Sequence, residues 1–257
     1  MNPRTQLLSV ALLSLLSACT APYVKAYAGY TEMAVSGDVA LAPTVGGVNL
    51  DTIKVDTETD LGLDEASGSP YARVDLGFGP VSLTASGFQY SETGTGTLSQ
   101  SFGNIVVGTQ VATELEFTNV KAAAMFNLID IGPFHFAPGL GVDYFDMNMS
   151  VRSISGPAAY DQLDVQAPLP LLYAQSSVDI GPLGVTLDVG GITGDFGDAD
   201  GTVLDAELLA RIKPTKHFEL FAGYRWISID VEGRADGQSF SAELEFKGWM
   251  FGGGINF

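Results

Sequence analysis

From Trp249 to the C-terminal Phe257 the chain alternates: Trp249, Phe251, Ile255 and Phe257 share one face, and Met250, Gly252, Gly254 and Asn256 the other. A period of two marks a β-strand whose faces meet different surroundings. The pattern recurs upstream. Over 134–144, Phe134, Phe136, Leu140, Val142 and Tyr144 oppose His135, Ala137, Gly139, Gly141 and Asp143. Over 202–213, Leu204, Ala206, Leu208, Ala210 and Ile212 oppose Asp205, Glu207, Arg211 and Lys213. Over 217–226, Phe218, Leu220, Ala222, Tyr224 and Trp226 oppose Glu219, Phe221, Gly223 and Arg225. Ten strands are predicted, at 23–36, 70–78, 81–92, 111–129, 134–151, 169–180, 183–195, 202–213, 217–231 and 239–257. Eight is the alternative, should 23–36 or 202–213 not be strands.

The joints between strands come in two kinds. Gly77-Phe-Gly-Pro80, Asp130-Ile-Gly-Pro133, Asp179-Ile-Gly-Pro182 and, with similar chemistry, Lys213-Pro-Thr-Lys216 read as tight turns, because Gly supplies positive φ and Pro presets the bend. Between them lie long polar segments at 37–69, 93–110, 152–167, 195–202 and 232–239. Short turns alternating with long loops is the pattern of an all-β, antiparallel transmembrane barrel. An even strand number then puts both termini on the periplasmic side, and closure leaves no unpaired backbone in hydrocarbon.

Composition sharpens this picture. The chain has 257 residues, 46% hydrophobic and only 16% charged, yet after the N-terminus no apolar run is long enough for a membrane helix. Thirty-one glycines suit tight turns and a narrow interior. The net charge of −18 argues against a nucleic-acid partner, which needs a basic patch. Residues 1–18 form an export signal, with Arg4 before an apolar stretch from Leu7 to Leu16, leaving 19–257 as a single barrel domain. The Leu16-Ser17-Ala18-Cys19 ending resembles the lipobox of bacterial lipoproteins, in which the cysteine becomes the acylated first residue. That resemblance makes Cys19, the only cysteine, a lipidation site. Ordinary signal cleavage nearby is the alternative.

The apolar phase slips by one after Tyr30, Tyr144 and Trp226 and just before Trp249. These aromatics read as the girdle at a membrane interface, beyond which the strands continue as bulged or extra-membrane sheet. Because a charge facing lipid is costly, the charged faces are predicted to line the lumen. They carry Lys25, Arg73, Asp75, Lys121, Asp143, Asp188, Asp205, Glu207, Arg211, Glu219 and Arg225, and also Glu243, Glu245 and Lys247.

At Asp161-Gln-Leu-Asp-Val-Gln-Ala-Pro-Leu-Pro-Leu-Leu-Tyr173 and Leu244-Glu-Phe-Lys-Gly248 the chain resembles a family of small Gram-negative outer-membrane barrels with no assigned activity, and more broadly OmpA-like and OmpW-like barrels. The resemblance implies fold and location and adds no catalytic residue. Both histidines, His135 and His217, flank predicted turns, away from where barrel enzymes known to use His carry their sites. The chain has no His/Cys cluster for zinc. Asp195, Asp198 and Asp200 form only a fragment of a calcium-loop pattern. Asp51, Asp56, Glu58, Asp60, Asp64 and Glu65 crowd the first loop, where a solvated face is expected. The expectation is a monomeric, cofactor-free, non-enzymatic barrel with a structural or surface-interaction role. Its partners would be membrane lipids, lipopolysaccharide and the barrel-assembly machinery, the last through the C-terminal strand. A small porin-like channel is the alternative, and an envelope lipid-modifying enzyme the third.

Overall fold

The computed structural model describes residues 22–45, 48–49, 53–195, 199–235 and 238–257. Residues 1–18, predicted to be an export signal, and Cys19 lie outside them, as do Asp51 and Asp198. Ten long strands dominate: β1 (Tyr23–Leu41), β2 (Ser67–Phe78), β3 (Val81–Thr97), β4 (Gln110–Phe126), β5 (Phe134–Ser153), β6 (Tyr160–Ile180), β7 (Leu183–Asp195), β8 (Ala199–Ile212), β9 (Phe218–Ala235) and β10 (Gln238–Asn256). Each pairs antiparallel with its sequence neighbours. The pairing of β1 with β10, from Lys25–Asn256 to Leu41–Phe240, closes the cylinder. Closure satisfies backbone groups that an open sheet would leave bare in lipid.

Three of the predicted turns are two-residue Gly-Pro joints, with Gly79, Gly132 and Gly181 at φ of 60, 61 and 59°. Glycine at the first central position is what a type II′ hairpin needs. The proline that follows each glycine accepts a hydrogen bond from an adjoining segment: Pro80 from Asn127, Pro133 from Asp179 and Pro182 from Lys213.

A bilayer takes about 9–11 residues of a tilted strand, but β1 and β10 have 19 residues, β5 has 20 and β6 has 21. The surplus lies at the loop end. On β5, Leu140, Val142 and Tyr144 point outward and Asp143 inward. Further along the same unbroken pairing with β4 and β6, Phe145, Met147, Met149 and Val151 are buried inside. The expectation of a bulge in this strand is corrected: odd residues point inward throughout, and only the chemistry of the two faces is exchanged. Near the turns the exterior is apolar and the interior polar. Beyond Tyr144, Trp249 and Tyr30 the interior is apolar, and Glu114, Glu116, Gln162 and Asp164 face outward.

Two further boundaries differ from expectation. Strand β6 begins at Tyr160 rather than 169, running straight through Pro168 and Pro170. The first long loop is not a merely solvated face. Its Val55–Asp56 segment pairs with β1, and Val55, Leu61 and Leu63 are fully buried with Val39 and Leu41. Asp60 is buried and accepts from the Ser99 amide at 3.0 Å and the Ser99 hydroxyl at 2.7 Å.

Candidate functional site

The turn-end half of the lumen is filled by a layer of charged side chains brought in from six strands. Strand alternation aims each of them inward, so the layer follows from the residue pattern plus closure. Arg73 (β2) lies 2.9 Å from Asp75, 2.5 Å from Asp188 (β7) and 2.6 Å from Glu207 (β8). Lys121 (β4) reaches Asp205 at 3.1 Å and Glu207 at 3.2 Å. Arg225 (β9) grips Asp205 with Nε at 3.1 Å and Nη2 at 2.9 Å, and donates to Asn119 at 2.6 Å. Tyr71 donates to Glu207 at 2.7 Å, and Tyr173 to Asp143 (β5) at 2.8 Å. The guanidinium of Arg225 also stands 5.1 Å from the centre of the Phe88 ring.

The side chains of Arg73, Lys121, Arg225, Asp205 and Glu207 are each no more than 1% exposed. Charges so enclosed persist only when paired and hydrogen-bonded, and each cation here has at least one short carboxylate contact. Nearer the turns a second cluster follows. Tyr27 donates to Glu219 at 2.9 Å, and Arg211 to Tyr27 at 3.2 Å and Thr186 at 2.5 Å. Lys213 reaches Asp179 at 3.1 Å near the rim. The Tyr27 and Tyr71 rings pack against Phe221, each 5.8 Å away.

The inward placement of Arg73, Asp75, Lys121, Asp143, Asp188, Asp205, Glu207, Arg211, Glu219 and Arg225 agrees with the strand pattern, and all are buried. Lys25 is half-buried near the turn end, its ammonium 5.1 Å from the Tyr23 ring. Glu243, Glu245 and Lys247 are corrections. Lys247 and Glu245 pair at 3.5 Å with side chains 43% and 44% exposed, and Glu243 binds Lys54 across the loop. They sit past the exchange of faces, where charge belongs outside and Leu244 and Phe246 fill the interior. The outward turn of these charges was legible in the phase slip before Trp249.

His135 stands 3.1 Å from Asp130, both near a turn, and His217 contacts the Asn256 carbonyl at 3.1 Å. Asp195 and Asp200 face each other in the β7–β8 register and are exposed; Asp198 lies outside the described residues. Among the described residues no group of three or more His, Cys, Asp or Glu is arranged to hold a metal.

Outer-membrane protease OmpT from Escherichia coli shares this architecture, with a TM-score of 0.54 at 10% identity over 91% of this chain and 96% of that one. The fold is that of an outer-membrane β-barrel. Ail, the attachment invasion locus protein of Yersinia pestis, matches with a TM-score of 0.39 at 12% identity, covering 93% of this chain and 100% of that one. Neisserial surface protein A matches with a TM-score of 0.34 at 13% identity, covering 92% and 97%. The likeness to OmpT carries the architecture alone. No family model and no curated protein matches the chain.

Proposed function

We propose that this is a monomeric outer-membrane barrel with a sealed lumen, serving a structural or surface-interaction role through its raised loop end. The observation that carries the reading is the ionic layer. Arg73, Lys121 and Arg225 are almost wholly enclosed, and each is fixed by carboxylates from other strands. A conducting path needs sites an ion can leave; here Arg73, Lys121 and Arg225 are each locked to acids on other strands.

The loop end offers what an interaction surface uses. Val106 and Val107 are each 58% exposed, Ile154 53% and Tyr160 57%. The tips bearing them are joined by hydrogen bonds from Ile154 to the Gln110 carbonyl at 2.8 Å and from the Gln110 amide to Ser155 Oγ at 3.0 Å. Apolar residues grouped on a polar rim mark contact sites more often than chance. This end faces the exterior, both termini face the periplasm, and the protein catalyses no reaction.

Planar-bilayer recording tests the sealed lumen. Purified barrel should give a flat trace at all voltages, and discrete conductance steps would overturn the reading. An epitope inserted between Val106 and Val107 should be labelled on intact cells, and one beside Gly132 should not; the reverse would overturn the orientation.

A further inference from the structure

The wall of the cylinder has a seam. Strands β6 and β7 pair from Ile180–Leu183 as far as Leu172–Gly191 and no further. Above that level β6 runs on to Tyr160 paired with β5 alone, while β7 runs on to Asp195 paired with β8 alone. The cause is in the residues. Hydrogen bonds from Ser153 to the Ala159 carbonyl and from Asp179 to the Pro133 carbonyl bracket the β5–β6 ladder in one register. Odd-numbered residues of β6 therefore turn their backbone groups toward β5, and even-numbered ones toward β7. Pro168 and Pro170 are both even. Neither has an N–H to give to β7, so the ladder stops where they begin, and they lose nothing on the β5 side. Proline inside a sheet belongs at such an edge.

Behind the seam lies an apolar chamber of about 360 Å³, lined by Phe145, Met147, Leu169, Val203, Ile229 and Phe240 among others. It rests directly on the ionic layer, since Val203 and Phe145 are the next inward positions above Asp205 and Asp143. Tyr173 lies at the foot of the seam. A side chain on Gly190 or Gly141 would meet its ring at 2.2 or 2.4 Å, so these glycines leave room for it. The volume is within the usual span for small-ligand pockets.

The depth of the opening identifies what could enter. Pro168 is level with Tyr144 of the aromatic band, and Leu172, just below the seam, is 69% exposed on the apolar exterior. The slot thus begins where the chains of a bilayer lipid meet its headgroup. Exposed Arg234 is the cation among the lining residues, with Asp164 the acid. We propose that the β6–β7 seam admits one unbranched acyl chain sideways into the chamber, with Arg234 holding its carboxylate or phosphate head. This rests on the membrane placement proposed above.

The test uses the barrel in lipid nanodiscs with two probes: palmitic acid carrying a nitroxide near its methyl end, and phosphatidylglycerol with the same label on one chain. Electron paramagnetic resonance should show an immobilised component for one or both probes. A signal from the acid points to a free fatty acid, and one from the phospholipid to a membrane lipid; either supports the proposal. Val203→Trp and Ala242→Trp, which fill the chamber from β8 and β10, should each reduce the component to background, whereas the outward-facing Leu208→Trp should not. Arg234→Gln should weaken binding of the acid severalfold and leave its methyl ester unchanged. No immobilised component with either probe, or one that survives both filling variants, overturns the proposal. Insertion is scored separately by gel mobility before and after heating. Failure of the wild type to insert counts against the membrane placement, while insertion without immobilisation counts against the chamber alone.

Discussion

The two halves of this barrel share the same strands and register, and invert each other. At the turn end a charged interior, centred on Glu207, is wrapped in exposed Leu208, Val185 and Leu220. At the loop end an apolar interior is wrapped in polar side chains. There the Phe117 and Phe246 rings stack at 4.1 Å, inside strands whose outer faces carry Glu116 and Glu245. Each half puts its apolar side chains where water is absent. In lipid that is the outside, and in water it is the inside. The lesson is that a strand's alternation specifies two unlike faces, while the surrounding medium decides which one becomes the core.

Variants that confuse the halves should show this. The largest effect is expected from Arg225→Met, which leaves Asp205 buried without its bidentate partner; unfolding in urea should show a loss of about 3–5 kcal/mol. Next, a cation on the outer face should be sensitive to level. Leu208→Arg, in the apolar band, should cost about 2–4 kcal/mol, whereas Ser91→Arg, beyond it, should stay within about 0.5 kcal/mol. Equal costs at the two positions would remove the distinction between halves.

The smallest effect concerns the watery half alone. Asp56 accepts from the Thr59 amide at 2.6 Å and the Thr59 hydroxyl at 2.8 Å, and the amide bond above all holds its carboxyl below the usual range. A depressed carboxylate contributes stability that is complete above its unfolded value and lost as pH falls through its folded value. The protection factor of the Thr59 amide should therefore decline on acidification, and Asp56→Asn should flatten that dependence.

Much of this was legible beforehand. The ten strands followed from alternation and from the Gly-Pro joints, and the charged layer from the inward parity of Arg73, Lys121, Glu207 and Arg225. The misreadings have local causes. Residues 152–167 read as a polar loop, although the strand begins at Tyr160 and runs through Pro168 and Pro170, since proline is harmless on the side of a strand that has no partner. Glu243, Glu245 and Lys247 were placed in the lumen by extending the membrane rule past Trp249, where it reverses. Asp60 looked like one more solvated acid because its contact, Ser99, is distant in the chain.

The sequence by itself determined which side chains share a face and where the chain turns, since both are set by backbone geometry over two to four residues. Only the tertiary structure decided which acid meets which base, where the wall parts between β6 and β7, and that a chamber lies behind it. Those depend on how far each strand slides past its neighbours around a closed ring, and that offset belongs to all ten strands together.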